Sequence, residues 1–268
     1  MTLFEVPESP AAPVGPLVRV RMLVAYDGSG FHGFAEQDGP VTVAGTLRAA
    51  IEKVVRHPVE LTCAGRTDRG VHAIGQVVSL DLSSAVDLPA LHRSLLKLCG
   101  PEIAVREVEV VAPDFDARFS AKSRTYRYTV LNRQVPDPLL ARATWHVPTP
   151  LDLKLLTLAC DPFIGEHDFS AFCRRPKVPA GDEPVSLVRR VRRAGWVDLG
   201  DGVLRFEVTA TAFCHQMVRS IVGSMVMVGA GGSRVRAGDL SGILRLGDRS
   251  RAAPIAPPEG LCLWHVEY

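Results

Sequence analysis

The feature that most constrains the fold of this chain is an order of strands and helices that occurs twice. Apolar residues that alternate with polar ones indicate strands, and apolar residues spaced three and four apart indicate helices. In the first half these patterns predict the order β-α-β-β-α-β, with segments at Val18–Val24, Leu47–Val55, Val59–Ala64, Val71–Leu82, Leu88–Cys99 and Ile103–Ala112.

The second half repeats the order of elements without repeating the residues. Strands are predicted at 123–131, 187–198, 203–211 and 261–268, and helices at 151–161, 217–228 and 239–246. Two split β-α-β halves usually join their sheets. We therefore predict an α+β fold in which two ferredoxin-like halves form one mixed, mainly antiparallel sheet. Helices are expected on one face of that sheet and a ligand-binding cleft on the other.

The chain is predicted to divide into three parts. Residues 1–16 carry four prolines among small residues, which favours a disordered tail. Residues 17–112 form the N-terminal half, and residues 113–268 form the C-terminal half.

Charge and composition exclude some classes of protein and leave others open. The 268 residues include 31 Lys and Arg against 29 Asp and Glu, so this is not a polybasic tail protein. Only five of the basic residues are lysines, which leaves 31 − 5 = 26 arginines. Arginine suits planar contacts with phosphates and bases, although a GC-rich genome also raises the arginine content. A local basic cleft is compatible with this balance.

Cysteine usage and hydropathy predict a soluble, cytoplasmic protein. The six cysteines are scattered, and Cys160, His167 and Cys173 lack a fourth ligand at zinc spacing. Scattered cysteines in a long chain are typical of reduced, buried thiols. No signal peptide is predicted, and the longest apolar run, Ile221–Ala230, is too short to cross a bilayer.

The densest functional pattern is the loop Gly65–Ala73. Asp68 stands there between Arg66 and Arg69, and two glycines bracket the turn. Flanking cations keep a carboxylate ionised, as a nucleophile or a charge stabiliser requires. On its spacing alone, the loop is more typical of a hairpin turn whose arginines are solvated.

Together with Gly75–Val78, this loop resembles the active-site loop of the tRNA pseudouridine synthase A (TruA) family. The resemblance runs in order from about Val20 to Tyr268. Its further segments are Tyr26–Gly33, Phe115–Ala121, Arg124–Tyr128, Gly165–Phe172, Phe213–Gly223 and Ala256–Leu261, with Leu263 and Val266. The chain departs from the family pattern at Phe34-Ala35, where Trp-Gln is usual, and at Ala44, where Gln is usual. These departures bear on RNA contact or core packing.

The resemblance implies an isomerase that converts uridine to pseudouridine at positions 38, 39 and 40 of the tRNA anticodon arm. It also implies a homodimer without metal or organic cofactor, and no membrane or DNA partner. Asp68 matches the nucleophile, which either attacks the sugar C1′ or abstracts a proton to give a glycal. Arg219 matches the arginine that pairs with this carboxylate.

The remaining site residues follow from the same resemblance. Tyr126 matches the tyrosine that stacks on the target base and relays a proton. Arg66 is expected to displace the base and hold the flipped conformation, since a stacked base is out of reach. Leu261 and Leu263 are expected to wall the pocket. Phosphate contacts are expected from Arg174, Arg175, Lys177, Arg189, Arg190, Arg192 and Arg193, although the last four also fit a solvated strand face.

Two other functions stay open at this point. One is a catalytically silent RNA-binding module, against which the intact Asp68 loop, Tyr126 and Arg219 argue. The other is a nucleoside or glycoside hydrolase, which usually needs a second carboxylate. If the two halves share one sheet, Asp68 and Arg219 are predicted to lie within about 4 Å of each other. Tyr126 is predicted to enter the same cleft. His72, His167 and His215 are interpreted as packed or hydrogen-bonded residues.

Overall fold

The computed structural model describes residues 15–176, 178, 181–231 and 235–268. Residues 1–14 of the predicted tail and Lys177 lie outside the described residues. Ten strands and five helices follow one another along the described chain. The strands are β1 Leu17–Tyr26, β2 Thr62–Cys63, β3 His72–Ser83, β4 Ile103–Val110, β5 Ser123–Leu131, β6 Trp145–His146, β7 Gly165–Asp168, β8 Val188–Asp198, β9 Val203–Ala210 and β10 Leu261–Glu267. The helices are α1 Val43–Val55, α2 Leu88–Cys99, α3 Leu153–Leu158, α4 Met217–Gly229 and α5 Asp239–Leu246.

All ten strands belong to one sheet, in the order β4-β1-β3-β10-β5-β9-β8-β7. The short strands β2 and β6 pair beside β3 and β5. β10 pairs with β3, and β6 with β5, in parallel, while the other described pairings are antiparallel. The predicted α+β fold with one mixed, mainly antiparallel sheet is confirmed. The division at residue 112 stays a prediction.

The last strand of the chain joins the two parts of the sheet. β10 runs antiparallel to β5, with Leu263 opposite Tyr126, and parallel to the start of β3, with Leu263 opposite Ala73. A Cβ at Gly75 would lie 2.2 Å from the carbonyl oxygen of Trp264, so only glycine permits this close approach. The joint places the loop that precedes β3 beside Tyr126 on β5.

The cleft lies on a different face of the sheet from the one we expected. Tyr126 shares its face with Tyr128, because residues two apart on a strand point the same way. Tyr128 lies opposite Phe206, and Phe206 opposite Trp196, whose indole N–H contacts the sulfur of Met225 on α4 at 3.3 Å. Helix α4 therefore covers the face that carries Tyr126. The cleft opens on this helical face, between the first turns of α1 and α4.

Some boundaries also differ from the predicted ones. The predicted strand 59–64 is shortened to β2, Thr62–Cys63, because only these two residues pair with β3, at Ser79 and Val78. The predicted helix 151–161 is shorter, Leu153–Leu158, because Pro162 has no N–H to donate to the carbonyl four residues before it; a separate 3₁₀ turn, Asp161–Phe163, follows. None of the described helices has the length and apolar content needed to span a bilayer.

Candidate active site

The loop that carries Asp68 is held by buried hydrogen bonds on both sides of it. The Thr67 hydroxyl is buried and lies 2.8 Å from the Tyr26 hydroxyl. The side-chain amide of Gln76, on β3, donates to the carbonyl of Gly65 at 2.7 Å. Buried hydrogen bonds of this kind are costly to break, so the loop presents Asp68 in a fixed position.

A second loop, which contains Gly33 and Phe34, packs against the Asp68 loop. The backbone N–H of Phe34 donates to the carbonyl of Thr67 at 3.1 Å, and the N–H of Ala44 donates to the carbonyl of Phe34 at 2.9 Å. Gly33 has φ +98°, and a Cβ there would lie 2.9 Å from the Thr67 oxygen. Phe34 and Ala44 are both buried. Two of the three departures from the family pattern therefore lie in the packing under the Asp68 loop.

Two side chains at the start of α4 approach the Asp68 carboxylate. The guanidinium of Arg219 lies 3.4 Å from Oδ2, and Nε2 of His215 lies 3.3 Å from Oδ1. Arg219 also donates through Nε to the carbonyl of Ala256 at 2.8 Å. The predicted Asp68–Arg219 distance is confirmed. The contact with His215 is an addition, and its only signal in the sequence was its place in the segment 213–223.

Helix α4 sets the direction of Arg219. Arg219 is the third residue of this helix, which is otherwise almost entirely buried, so its first turn is fixed at the cleft. The residue before the helix, Gln216, has φ +66°, a left-handed backbone conformation that residues other than glycine rarely adopt. This turn brings His215 and Arg219 to the same carboxylate.

Tyr126 enters the cleft from β5, as predicted. Its side chain is buried, and its ring meets Phe213 edge-on at 5.0 Å between centroids. Burial, and to a lesser degree the negative charge of Asp68, raise the pKa of the Tyr126 phenol far above its usual range. The hydroxyl therefore stays protonated at neutral pH and can donate a hydrogen bond.

The cleft has a volume of about 1260 Å³ and a strongly basic lining. Its carboxylates, among the described residues, are Asp68 and Glu36. Glu36 is held by Arg48 at 2.7 Å, and this hydrogen bond lowers the pKa of the Glu36 carboxyl. The lining arginines are Arg66, Arg69, Arg118, Arg124, Arg174, Arg189 and Arg219.

The other predicted site residues are distributed unevenly around the cleft. Arg66 is exposed at its rim, and Leu261 lines it. Leu263 is fully buried opposite Tyr126 and contributes no surface to the cleft. Of the predicted phosphate contacts, Arg174 and Arg189 line the cleft, and Arg175 lines a neighbouring pocket.

The arginines further along β8 lie apart from the cleft. Arg190 pairs with Glu166 at 3.2 Å, and Arg192 pairs with Glu267 at 3.0 Å. Arg193 is exposed and is not part of the lining. In the part of the chain that the structure describes, no group of three or more His, Cys, Asp and Glu side chains is placed to hold a metal ion.

The chain that forms this sheet and basic cleft matches a family of RNA-modifying isomerases. The family model for tRNA pseudouridine synthase matches residues 22–120 and 159–268. The chain belongs to the tRNA pseudouridine synthase family, whose members are isomerases, and its substrate is RNA.

Curated relatives named tRNA pseudouridine synthase A match almost the whole chain. The protein of Frankia casuarinae is 41% identical over 254 residues, which cover 94% of this chain and 90% of the relative. That of Methylobacterium sp. strain 4-46 is 41% identical over 252 residues, covering 93% and 97%. That of Acetivibrio thermocellus is 35% identical over 249 residues, covering 93% and 99%. A solved Cbf5-Nop10-Gar1 complex aligns with a TM-score of 0.31 and 11% identity, over 78% of this chain and 54% of that one.

Proposed function

We propose that this isomerase converts uridine to pseudouridine at positions 38, 39 and 40 of the tRNA anticodon arm, with Asp68 as the nucleophile. The observation that carries the proposal is the setting of Asp68. Its two carboxylate oxygens face Arg219 at 3.4 Å and His215 at 3.3 Å in a cleft lined by arginines. Contacts on both oxygens fix the orientation of the carboxylate, as a nucleophile requires.

The number of available carboxylates supports an isomerase over a hydrolase. Glycoside hydrolysis usually uses a pair of carboxyl groups, one of them free to transfer protons. Among the described residues that line the cleft, Glu36 is the sole other carboxylate, and it is tied to Arg48. Moving the uracil ring from its N1 to its C5 linkage breaks the N1–C1′ bond, forms a C5–C1′ bond and transfers the C5 proton to N1, so it needs neither an oxidant nor a net addition of water. No second carboxylate is therefore needed to activate a water molecule.

The other residues of the cleft are proposed to hold the flipped nucleotide. The target base must leave the helical stack to reach Asp68. Tyr126 then stacks on the base with its protonated hydroxyl near the reacting groups, and Leu261, supported by Leu263, forms the apolar wall. Arg66, exposed at the rim, occupies the space that the base leaves.

The remaining parts of the proposal concern the partner and the setting. Arg174, Arg175 and Arg189 are proposed to contact phosphates, because phosphate contacts supply much of the affinity of proteins for nucleic acids. The enzyme is proposed to be a cytoplasmic homodimer, whose mass in solution would be twice that of the 29.0 kDa chain. The division into N-terminal and C-terminal halves at residue 112 belongs to the same proposal.

The test uses unmodified tRNA transcripts that carry uridine at only one of positions 38, 39 and 40, and a control transcript with cytidine at all three. Pseudouridine is expected in each of the first three and not in the control. Modification elsewhere in the control would move the site. Release of free uracil would identify a hydrolase, and binding without conversion would identify a silent module.

A further inference from the structure

A second basic concavity opens beside the cleft. It has a volume of about 560 Å³, and we call it the arginine pocket. Arg174 and Gln216 line both the cleft and the arginine pocket, so the two are adjacent. Its lining residues are Ser170, Cys173, Arg174, Arg175, Gln216, Gly247 and Arg249.

No carboxylate among the described residues balances the charges of the arginine pocket. None of the ion pairs among the described residues involves Arg174, Arg175 or Arg249. Asp248, which precedes Arg249 directly in the sequence, pairs with Arg251 instead. Three arginines around one concavity repel one another, and an anion bound between them removes that repulsion.

One hydrogen bond connects the arginine pocket to the site of Asp68. The guanidinium of Arg249 donates to the side-chain oxygen of Gln216 at 2.7 Å. Gln216 is the left-handed residue between His215 and the first turn of α4. A residue held in such a conformation needs support from its surroundings, and such residues concentrate at functional sites. The side chain of Gln216 thus joins Arg249 to the turn that positions His215 and Arg219.

We propose that Arg174, Arg175 and Arg249 bind one phosphodiester group of the substrate RNA strand, within a few nucleotides of the target. The Arg249–Gln216 hydrogen bond ties this phosphate to the turn that presents His215 and Arg219 to Asp68. The proposal rests on the proposed role of the cleft as the site of reaction. Arginine recognises phosphate oxygens through paired N–H groups, which distinguishes this pocket from a diffuse basic surface.

The adjacency of the two cavities favours a strand phosphate over a free anion. Arg174 borders both spaces, so the backbone of a nucleotide whose base reaches Asp68 can leave the cleft past it. Gln216 follows His215 directly in the chain, so the phosphate in question belongs to a nucleotide close to the target.

The test is a scan with uncharged linkages. Anticodon stem-loop RNAs carry a single methylphosphonate at each linkage within three nucleotides on either side of the target. The dissociation constant of each RNA is measured with the wild-type protein, Arg175→Gln and Arg249→Gln. One linkage is expected to weaken wild-type binding about tenfold, which corresponds to about 1.4 kcal/mol. The same linkage is expected to cost less than about twofold in the two variants, because the contact is already lost.

The matched control is Arg251→Gln. Arg251 lies two residues after Arg249, in the same 3₁₀ turn, Arg249–Arg251, and it already pairs with Asp248. This variant is expected to keep the tenfold linkage effect. A scan in which no linkage interacts with Arg175 or Arg249 overturns the pocket, as does an Arg251 variant that behaves like the Arg249 variant. Competition by inorganic phosphate that Arg175→Gln abolishes, without any linkage effect, identifies a free-anion site and also overturns it.

The connection through Gln216 has its own readout. Gln216→Gly relieves the left-handed conformation but removes the acceptor for Arg249. We expect kcat to fall about tenfold, and Gln216→Asn, which tolerates this conformation, to recover part of the loss. Unchanged kcat in Gln216→Gly overturns the connection. Conversion at positions 38 to 40 is followed in parallel in the wild type, so a failure of the proposed function shows separately.

Discussion

The two faces of the sheet carry arginines in opposite settings. On the face away from the helices, which we call the open face, arginines lie directly opposite carboxylates on neighbouring strands. The pairs are Arg19 with Asp81 at 2.8 Å, Arg21 with Glu109 at 2.7 Å, and Arg127 with Glu207 at 2.7 Å. In the cleft on the helical face, none of the described ion pairs involves Arg66, Arg69, Arg118, Arg174 or Arg189.

This contrast separates arginines that serve the fold from arginines that serve a ligand. Opposite charges that face each other across strands stabilise the sheet and leave little field outside it. Unbalanced charges in a concave cleft create a strong local potential that attracts a polyanion. A net charge of +2 conceals both arrangements, because it sums over them.

The largest effect on turnover is expected at Asp68, the carboxylate that pairs with Arg219 in the cleft. Asp68→Asn keeps the size of the side chain and removes the ionised oxygen. We expect turnover on tRNA transcripts to fall by about 10⁴-fold or more, with RNA affinity changed less than tenfold, because binding is spread over many phosphates. Single-turnover formation of pseudouridine and a filter-binding titration measure the two. Substantial conversion by a preparation free of wild-type enzyme would end the nucleophile assignment.

A smaller effect is expected at Arg219, the cleft arginine that pairs with the Asp68 carboxylate among the described residues. Arg219 contacts Ala256 with Nε and Asp68 with its terminal nitrogen, and a lysine cannot make both contacts. Arg219→Lys is expected to lower kcat about 100-fold with little change in RNA affinity, since the positive charge remains. Urea unfolding of the same variant checks that the fold is kept. A variant with wild-type kcat would show that the pair holds the structure and does not orient Asp68.

Parts of this contrast were predictable from the sequence. The Asp68–Arg219 contact followed from two halves that share one sheet, together with the motif that contains each residue. The face of the cleft did not follow, because alternation along β5 shows that Tyr126 and Tyr128 share a face but not which face α4 covers. Partners of surface arginines were also beyond reach, since Arg192 meets Glu267 across 75 residues. Gln216 gave no sign of its left-handed conformation, because glutamine has no preference for it.

The arginines without catalytic contact provide a graded test of the same comparison. Arg118 lines the cleft without a carboxylate partner among the described residues, whereas Arg21 is paired on the open face. Arg118→Gln is expected to weaken RNA binding several-fold and to lower the slope of log affinity against log salt by about 0.7 to 0.9. Arg21→Gln is expected to leave the slope unchanged. Equal slopes for the two variants would mean that RNA also uses the open face.

The smallest functional effect is expected at Arg127, which sits on the open face between two partners. Its guanidinium lies 3.7 Å from the centre of the Trp264 ring and donates to Glu207 at 2.7 Å. A double-mutant cycle with Arg127→Gln and Glu207→Gln, followed by urea unfolding, is expected to give a coupling free energy of about 0.5 to 1 kcal/mol. Arg127→Ala is expected to lose more stability, because the contact with the ring goes as well.

Neither Arg127 variant is expected to change RNA affinity or kcat at a temperature where the protein is folded. This result would show that a balanced arginine contributes to the sheet alone, even though its strand, β5, also carries Tyr126 into the cleft. A loss of RNA binding in Arg127→Gln, at unchanged stability, would instead assign part of the RNA footprint to the open face. It would remove the distinction between the two sets of arginines, because pairing with a carboxylate would no longer separate residues of the fold from residues of the site.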